Sequence, residues 1–228
     1  ITTGAYNTII GGLAGDALTS GEMNIAIGHN ALSTEDTGDR NIAIGKGALE
    51  TLNYDGNGYN IAIGYEAGTT MSTGVQNTLI GSLAGDALTT GIGNVAVGYD
   101  ALSTEDAHGL NVAVGASALS SLNAGANAYN VAVGYQAGLA MTSGAYNNII
   151  GGLAGDALTS GARNIVLGYE ALSTEDTGND NVAIGFRALK NQNYDGSAYN
   201  VAIGKDAGKE VTSGVQNTII GGQAGDAL

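Results

Sequence analysis

Short apolar segments alternate with glycine-rich polar ones along this chain, and the same pattern returns throughout its length. An Asn is followed by three mostly apolar residues and then a Gly, as in "NIAIG" at Asn24 and "NVAVG" at Asn94. In "NIAIG", Ile25 and Ile27 alternate with Ala26, which is the two-residue period of a β-strand, and β-branched residues favour strands. Each motif therefore predicts a short strand.

The spacing of the motif defines the organisation of the chain. The intervals between successive Asn residues run 17, 17, 19 and 17, and this series repeats, so that equivalent coils return every 70 residues. "NTIIGGLAGDAL" at Asn7 returns as "NTLIGSLAGDAL" at Asn77 and "NNIIGGLAGDAL" at Asn147, and a partial copy begins at Asn217. The thirteen Asn residues, from which all positions are counted below, are Asn7, Asn24, Asn41, Asn60, Asn77, Asn94, Asn111, Asn130, Asn147, Asn164, Asn181, Asn200 and Asn217.

Two other positions are invariant among the coils. The fourth position is always Gly and the seventh always Ala, and in the first three coils these are Gly11, Gly28, Gly45, Ala14, Ala31 and Ala48. Such constancy within one chain indicates structural roles, and Gly at the fourth position permits a bend after the strand. For the Asn residues we expect side-chain hydrogen bonds between stacked coils, with a ligand-binding ladder as the alternative.

Coils of 17 or 19 residues are too short to fold alone, but stacking pairs each strand in parallel with its copies about 4.8 Å away. A second apolar stretch, such as Ala31–Leu32, predicts a second short strand in each coil. The frequent Gly residues disfavour helices. The sequence therefore predicts an all-β parallel solenoid of thirteen coils, one continuous domain over residues 1–228 and a window of a longer array.

The apolar positions also predict partner chains. If the third position, always Ile, Val or Leu, points inward, then the second points outward, and it too is apolar in every coil. An apolar stripe on the outside is unusual for a monomer. Copies of the same chain are the simplest cover, and turns of the chain folded over the strand are the alternative.

Composition and charge narrow the function. The formal net charge of −14 disfavours nucleic acid and anionic membranes as partners. It favours solubility and repulsion between fibres, with cation binding as the alternative. At the ninth position Asp16, Asp86 and Asp156 recur every 70 residues, which we interpret as a way to keep acids from stacking.

Candidate chemistry is sparse. The chain has no Cys, and its two His residues, His29 and His108, occupy unrelated positions. We therefore expect no zinc site, no cofactor and no catalytic nucleophile. Glu35 and Asp36 in "STEDTG" are weak candidates for binding Ca²⁺. The alternative is that they belong to a solvated acidic turn without a ligand. The turn "NYDG", at Asn53 and again at Asn193, is a candidate receptor contact through its Tyr.

A resemblance to known families rests on these motifs. "NIAIG", "NVAVG" and "NVAIG" resemble the YadA-like head repeats of trimeric autotransporter adhesins, and "TSGxxNTIIGxxAG" is similar to repeats of bacteriophage tail fibres and tail-fibre-like surface proteins. The resemblance implies a left-handed β-roll, a homotrimer and an extracellular or virion location. The coils here are longer than the YadA-like ones, and no stalk or anchor is recognisable.

We therefore predict a structural fibre segment rather than an enzyme, acting as a rigid spacer or adhesion surface on a cell or a phage. An ice-binding solenoid is the alternative, although Thr8, Thr78 and Thr218 place Thr on the strand in only one coil in four. A carbohydrate-active solenoid is a weaker alternative, because aromatic platforms and an acid pair held in a cleft are not recognisable.

Overall fold

The computed structural model describes residues 2–227 and divides into two compact units, residues 1–110 and 111–228. Each unit is a stack of coils, and every coil contributes one three-residue strand. The strands of the first unit are β1 Thr8–Ile10, β2 Ile25–Ile27, β3 Ile42–Ile44, β4 Ile61–Ile63, β5 Thr78–Ile80 and β6 Val95–Val97. Those of the second are β7 Val112–Val114, β8 Val131–Val133, β9 Asn148–Ile150, β10 Ile165–Leu167, β11 Val182–Ile184, β12 Val201–Ile203 and β13 Thr218–Ile220.

Within each unit the strands pair in parallel and in the order of the chain. Equivalent positions face each other, so that Ala26 pairs with Ala43 and Ala43 with Ala62. The two additional residues of a 19-residue coil leave this register unchanged, because they lie in the turn before the next Asn. The predicted all-β parallel solenoid is therefore confirmed for both units.

The predicted second strand in each coil is wrong. Ala31 and Leu32 are buried, but they lie in a turn, and Leu32 has a left-handed backbone with φ of 52°. A run of residues cannot continue as a strand through that conformation. Gly28 begins the turn with φ of +133°, and a Cβ there would lie 2.5 Å from the carbonyl oxygen of Gly45 in the next coil. The invariant Gly thus meets both a backbone and a spacing requirement.

The predicted orientation of the strand is also wrong. The second position points inward: Ala26, Ala43 and Ala62 are fully buried. The third position points outward, and Ile63 and Ile80 are more than one third exposed. Alternation separates two faces but does not say which is inside. The buried Asn shares the inner face with the second position, because it lies two residues before it.

The interior is narrow and is filled from four positions. The second and seventh positions supply mainly Ala, whereas larger side chains come from the eighth and eleventh positions, as with Leu49 and Leu52. Where the eighth position is Gly, the coil or its neighbour supplies bulk elsewhere: a Cβ on Gly68 would lie 2.7 Å from Leu79 and 3.0 Å from Leu49. Each coil therefore packs against complementary volumes in the coils beside it.

Candidate functional site

The Asn residues form a buried ladder that ties successive coils together. Asn147 is fully buried, its Oδ1 accepts the backbone N–H of Asn164 at 2.9 Å, and its Nδ2 donates to the carbonyl of Gly161 at 2.8 Å. The backbone N–H of Asn147 donates in turn to Oδ1 of Asn130 at 2.9 Å. Each amide thus satisfies main-chain groups of its own turn and of the next coil.

The same arrangement occurs in the first unit. Oδ1 of Asn24 accepts the N–H of Asn41 at 2.8 Å, and Nδ2 of Asn24 donates to the carbonyl of Gly38 at 2.7 Å. Amide-to-amide bonds also occur, as from Nδ2 of Asn60 to Oδ1 of Asn41 at 3.1 Å. A side chain with both amide ends engaged inside the coil leaves no polar group for an external ligand.

An apolar surface, which we call the outer stripe, consists of the side chains at the first and third positions of each strand. The third position is Ile, Val or Leu in every coil, and the first is Ile, Val, Thr or Asn. No ionisable side chain occurs at either position. In the second unit, Ile150 is 41% and Leu167 is 42% exposed. The apolar stripe predicted at the second position is therefore wrong, because that position is buried, and an apolar stripe lies instead at the first and third positions.

Aromatic side chains flank the outer stripe in both units. At the fifth position, Tyr65, Tyr99 and Tyr135 are exposed. The position before the Asn contributes further exposed rings, including Tyr129 and Tyr146, which stack on each other. Exposed aromatics beside an apolar patch are typical of a contact surface between proteins.

Glu35, a candidate for Ca²⁺ binding, occupies the interior instead. The expectation of a solvated turn is wrong for this residue, because its side chain is fully buried. Its carboxylate accepts backbone N–H groups from Gly38 at 2.7 Å, Asp36 at 3.1 Å and Tyr54 at 3.1 Å. Tyr54 lies in the enlarged turn of the following 19-residue coil, so the carboxylate holds that turn against its own.

Burial raises the pKa of Glu35, since desolvation outweighs the three backbone hydrogen bonds that favour the charged form. Asp36 is half-buried, and its carbonyl accepts the N–H of Thr19 at 2.8 Å. With both Glu35 oxygens engaged by N–H donors, this carboxylate is arranged to tie turns together rather than to present itself to a cation.

The 70-residue repeat that begins at Asn147 contains the same arrangement. Glu175 is fully buried and accepts the N–H of Gly178 at 2.8 Å and that of Tyr194 at 3.1 Å, and burial again raises its pKa. The eleventh position carries Leu, Met or Val in most other coils, so aligning the coils would have revealed these residues as interior ones. This signal was available in the sequence.

The 70-residue repeat that begins at Asn77 differs from the other two because His108 stands where they have Gly38 and Gly178. Donor atoms of Glu105, Asp106 and His108 lie within 4.8 Å of one another, and Nδ1 of His108 is 3.5 Å from Oε1 of Glu105. Oε1 also accepts the backbone N–H of His108 at 3.1 Å. The group combines a buried acid, an exposed one and a half-buried imidazole. His29 lies at a different position of its coil and is exposed.

The remaining candidates lie on the outside of the coils. Tyr54 and Tyr194 of the "NYDG" turns are 36% and 38% exposed, and Oδ1 of Asp55 accepts the hydroxyl of Thr37 at 2.7 Å. Thr8 and Thr78 lie on the outer stripe, four strands apart. A hollow at the last coil is lined by Val211, Thr212, Gly214 and Asn217, none of which is ionisable.

Comparisons with known proteins add no assignment. No family model, no curated protein and no solved structure matches the chain. Among the described residues, no helix has the length and apolar character needed to cross a membrane.

Proposed function

We propose that the chain is a structural fibre module of an extracellular appendage, such as an adhesin head or shaft, a surface filament or a phage tail fibre. It serves as a rigid spacer and adhesion surface, and identical chains are its partners. The observation that supports this most directly is the outer stripe: every coil contributes two uncharged, mainly aliphatic side chains, although the whole chain has a net charge of −14.

Charge favours a second copy as the cover of the outer stripe. Copies of a strongly acidic chain repel each other on most faces, and an uncharged face is where they approach at the lowest electrostatic cost. A copy also presents its own side chains at the same spacing of about 4.8 Å per coil, so that the two surfaces match along the stack.

The size of the outer stripe bears on the strength of association. A strand with its flanking residues is about 16 Å long and each coil adds about 4.8 Å, so a coil offers roughly 80 Å². Over the seven coils of the second unit this gives roughly 560 Å², compared with about 800 Å² per partner in a standard interface, so a contact through this unit alone belongs to the weaker class.

Rigidity is favoured by the interior. The Asn ladder and the buried Glu carboxylates satisfy main-chain groups between coils, and buried hydrogen bonds resist local opening because an unpaired polar group costs about 1–3 kcal/mol. A stack in which each coil is bonded to the next in this way is suited to transmit force along its length.

The substitution Leu167→Lys tests the proposal. Leu167 lies on the outer stripe of the second unit, and a Lys there would place a charge in the contact between copies. We expect the wild-type chain to sediment as an oligomer at micromolar concentration and the variant to shift to the monomer. Sedimentation velocity measures both states.

The matched control is Ser160→Lys, which adds the same charge at an exposed site outside the outer stripe. We expect this variant to associate like the wild type. A wild-type chain that remains a monomer would refute association through the outer stripe, and equal behaviour of the two Lys variants would place the contact elsewhere.

A further inference from the structure

We propose that Tyr129 and Tyr146 form an oxidative cross-linking site, at which a one-electron oxidant of the peroxidase class joins the two phenol rings as dityrosine. The site links adjacent coils of the second unit within one chain. The link forms within one chain and requires no second copy.

The two rings are held next to each other. Their centroids are 5.6 Å apart and their planes differ by 7°, because both residues occupy the position before the Asn in successive coils. Tyr129 is 49% and Tyr146 is 56% exposed, so both phenols are accessible to an oxidant in solution. The stacked coils hold the rings side by side, which replaces the encounter of two free radicals by a reaction between neighbours.

Between residues 2 and 227, no other two tyrosines stack on each other. Tyr199 also lies directly before an Asn, but the residues at this position in the two adjacent coils are Asp180 and Gln216. Tyr169 stacks on a ring at 5.7 Å, but that ring belongs to Phe186, which has no phenol to oxidise. The pair of Tyr129 and Tyr146 therefore combines close stacking with two reactive rings.

The reaction balances with hydrogen peroxide as the terminal oxidant. Each phenol gives one electron and one proton to the peroxidase and becomes a phenoxyl radical. An ortho carbon of one ring bonds to an ortho carbon of the other, and each ring regains aromaticity as its ring hydrogen moves to oxygen. Overall the chain loses two hydrogen atoms, and one hydrogen peroxide becomes two waters.

The test uses the full chain, a haem peroxidase and hydrogen peroxide. Met141 lies between the two tyrosines, so cyanogen bromide separates Tyr129 from Tyr146 in an unlinked chain. After methionine sulfoxide has been reduced, we expect the fragments 72–141 and 142–228 to remain joined, with a mass lower by two hydrogens. Dityrosine fluorescence should appear in the monomer band of a denaturing gel.

Two variants locate the link. Tyr146→Phe keeps the stacked ring and should abolish the joined fragment, whereas Tyr199→Phe should leave it unchanged. Adding Phe186→Tyr to the Tyr146→Phe chain should restore dityrosine, now within fragment 142–228. These three exposed positions are aromatic before and after the change, so folding is retained.

Two results would overturn the proposal. One is an equal yield of joined fragments in the Tyr146→Phe variant, which would show coupling without the stacked pair. The other is dityrosine found only in bands of two or more chains, which would show that rings of different chains react in preference to the stacked neighbours.

Discussion

The buried glutamates show how a single side chain can adapt one coil to its neighbour. Glu35 replaces an apolar residue of the interior, and its carboxylate reaches the N–H of Tyr54 in the enlarged turn of the following coil. A Leu at this position would leave three N–H groups without an acceptor. The carboxyl group is therefore retained inside because it satisfies two N–H groups of its own turn and one of the enlarged turn.

The raised pKa of Glu35 makes its contribution to stability depend on pH. Because burial raises the pKa in the folded state, the folded chain binds this proton more tightly than the unfolded one. The resulting stabilisation is complete below the ordinary Glu value of 4.5 and is lost as pH rises through the folded pKa. We expect the wild-type chain to lose stability relative to Glu35→Gln as pH rises over this range.

Urea unfolding of both chains at a series of pH values measures the difference in the free energy of unfolding. Glu22→Gln is the control, because the side chain of Glu22 is exposed. A difference between wild type and Glu35→Gln that stays constant with pH, or that grows in favour of the wild type, would contradict the assigned cause of the shift.

The coil, rather than the residue, explains why the chain repeats every 70 residues. Most coils with Leu at the eighth position, such as Leu49, have Ala at the second, here Ala43, whereas Leu79 at the second position accompanies Gly85 at the eighth. The spacing of acids at the ninth position stays a second interpretation. Acids at another position do act on Asp86: burial raises its pKa, and Asp100 and Glu66, at the sixth position of neighbouring coils, raise it further.

An exchange of volumes within one coil tests this explanation. Leu79→Ala removes a fully buried side chain and should cost about 2–5 kcal/mol. Gly85→Leu alone should also destabilise, because its Cβ would lie 2.8 Å from both Leu79 and Leu88. Combined, the two changes reproduce the arrangement of Ala43 and Leu49, and we expect them to recover a large part of the loss.

The backbone permits this exchange. Gly85 has φ of +56°, close to the 49° of Leu49, so a Leu there adopts a conformation that the chain already uses. Unfolding in urea of the two single variants and the double variant gives the coupling energy. A double variant that loses as much stability as the two single variants added together would show that the volumes do not compensate.

The sequence alone predicted the features that follow from the repeating pattern, namely the strands and their register. It did not predict which face of the strand points inward or which conformation the turns adopt. The strands followed from alternation at Ile25–Ile27, and their register followed from the Asn spacing. The identity of the inner face could not be derived from alternation, because the same alternating pattern results whichever face points inward. Leu32 resembled a strand residue because its burial is visible in the pattern, whereas its φ of 52° is not.

The candidate functional surface could be predicted in part from the same pattern. A stripe was expected at the second position, which proved to be buried. Because the third position is also apolar, reversing the two faces still leaves an apolar stripe outside. Glu35 was misjudged because it was read within its own segment. Compared with Leu18 and Leu52, which occupy the same position of neighbouring coils, it is an interior residue.

For the whole molecule, the opposition between a charge of −14 and an uncharged outer stripe determines how association should respond to salt. Added salt screens the repulsion between acidic chains, with a Debye length of about 10 Å at 0.1 M and 3 Å at 1 M. A contact made of Ile, Val and Leu contains no ion pairs for salt to weaken. The two effects therefore act in the same direction.

We expect the proposed self-association to strengthen as sodium chloride is raised from 0.05 to about 1 M, in the range where screening becomes effective. Sedimentation velocity at several chain concentrations gives the dissociation constant at each salt concentration. The Leu167→Lys chain should have the higher dissociation constant at every salt concentration, because its substitution lies in the apolar contact itself. An interface held by ion pairs would instead weaken with salt, and that result would show that copies meet through charged surfaces and not through the outer stripe.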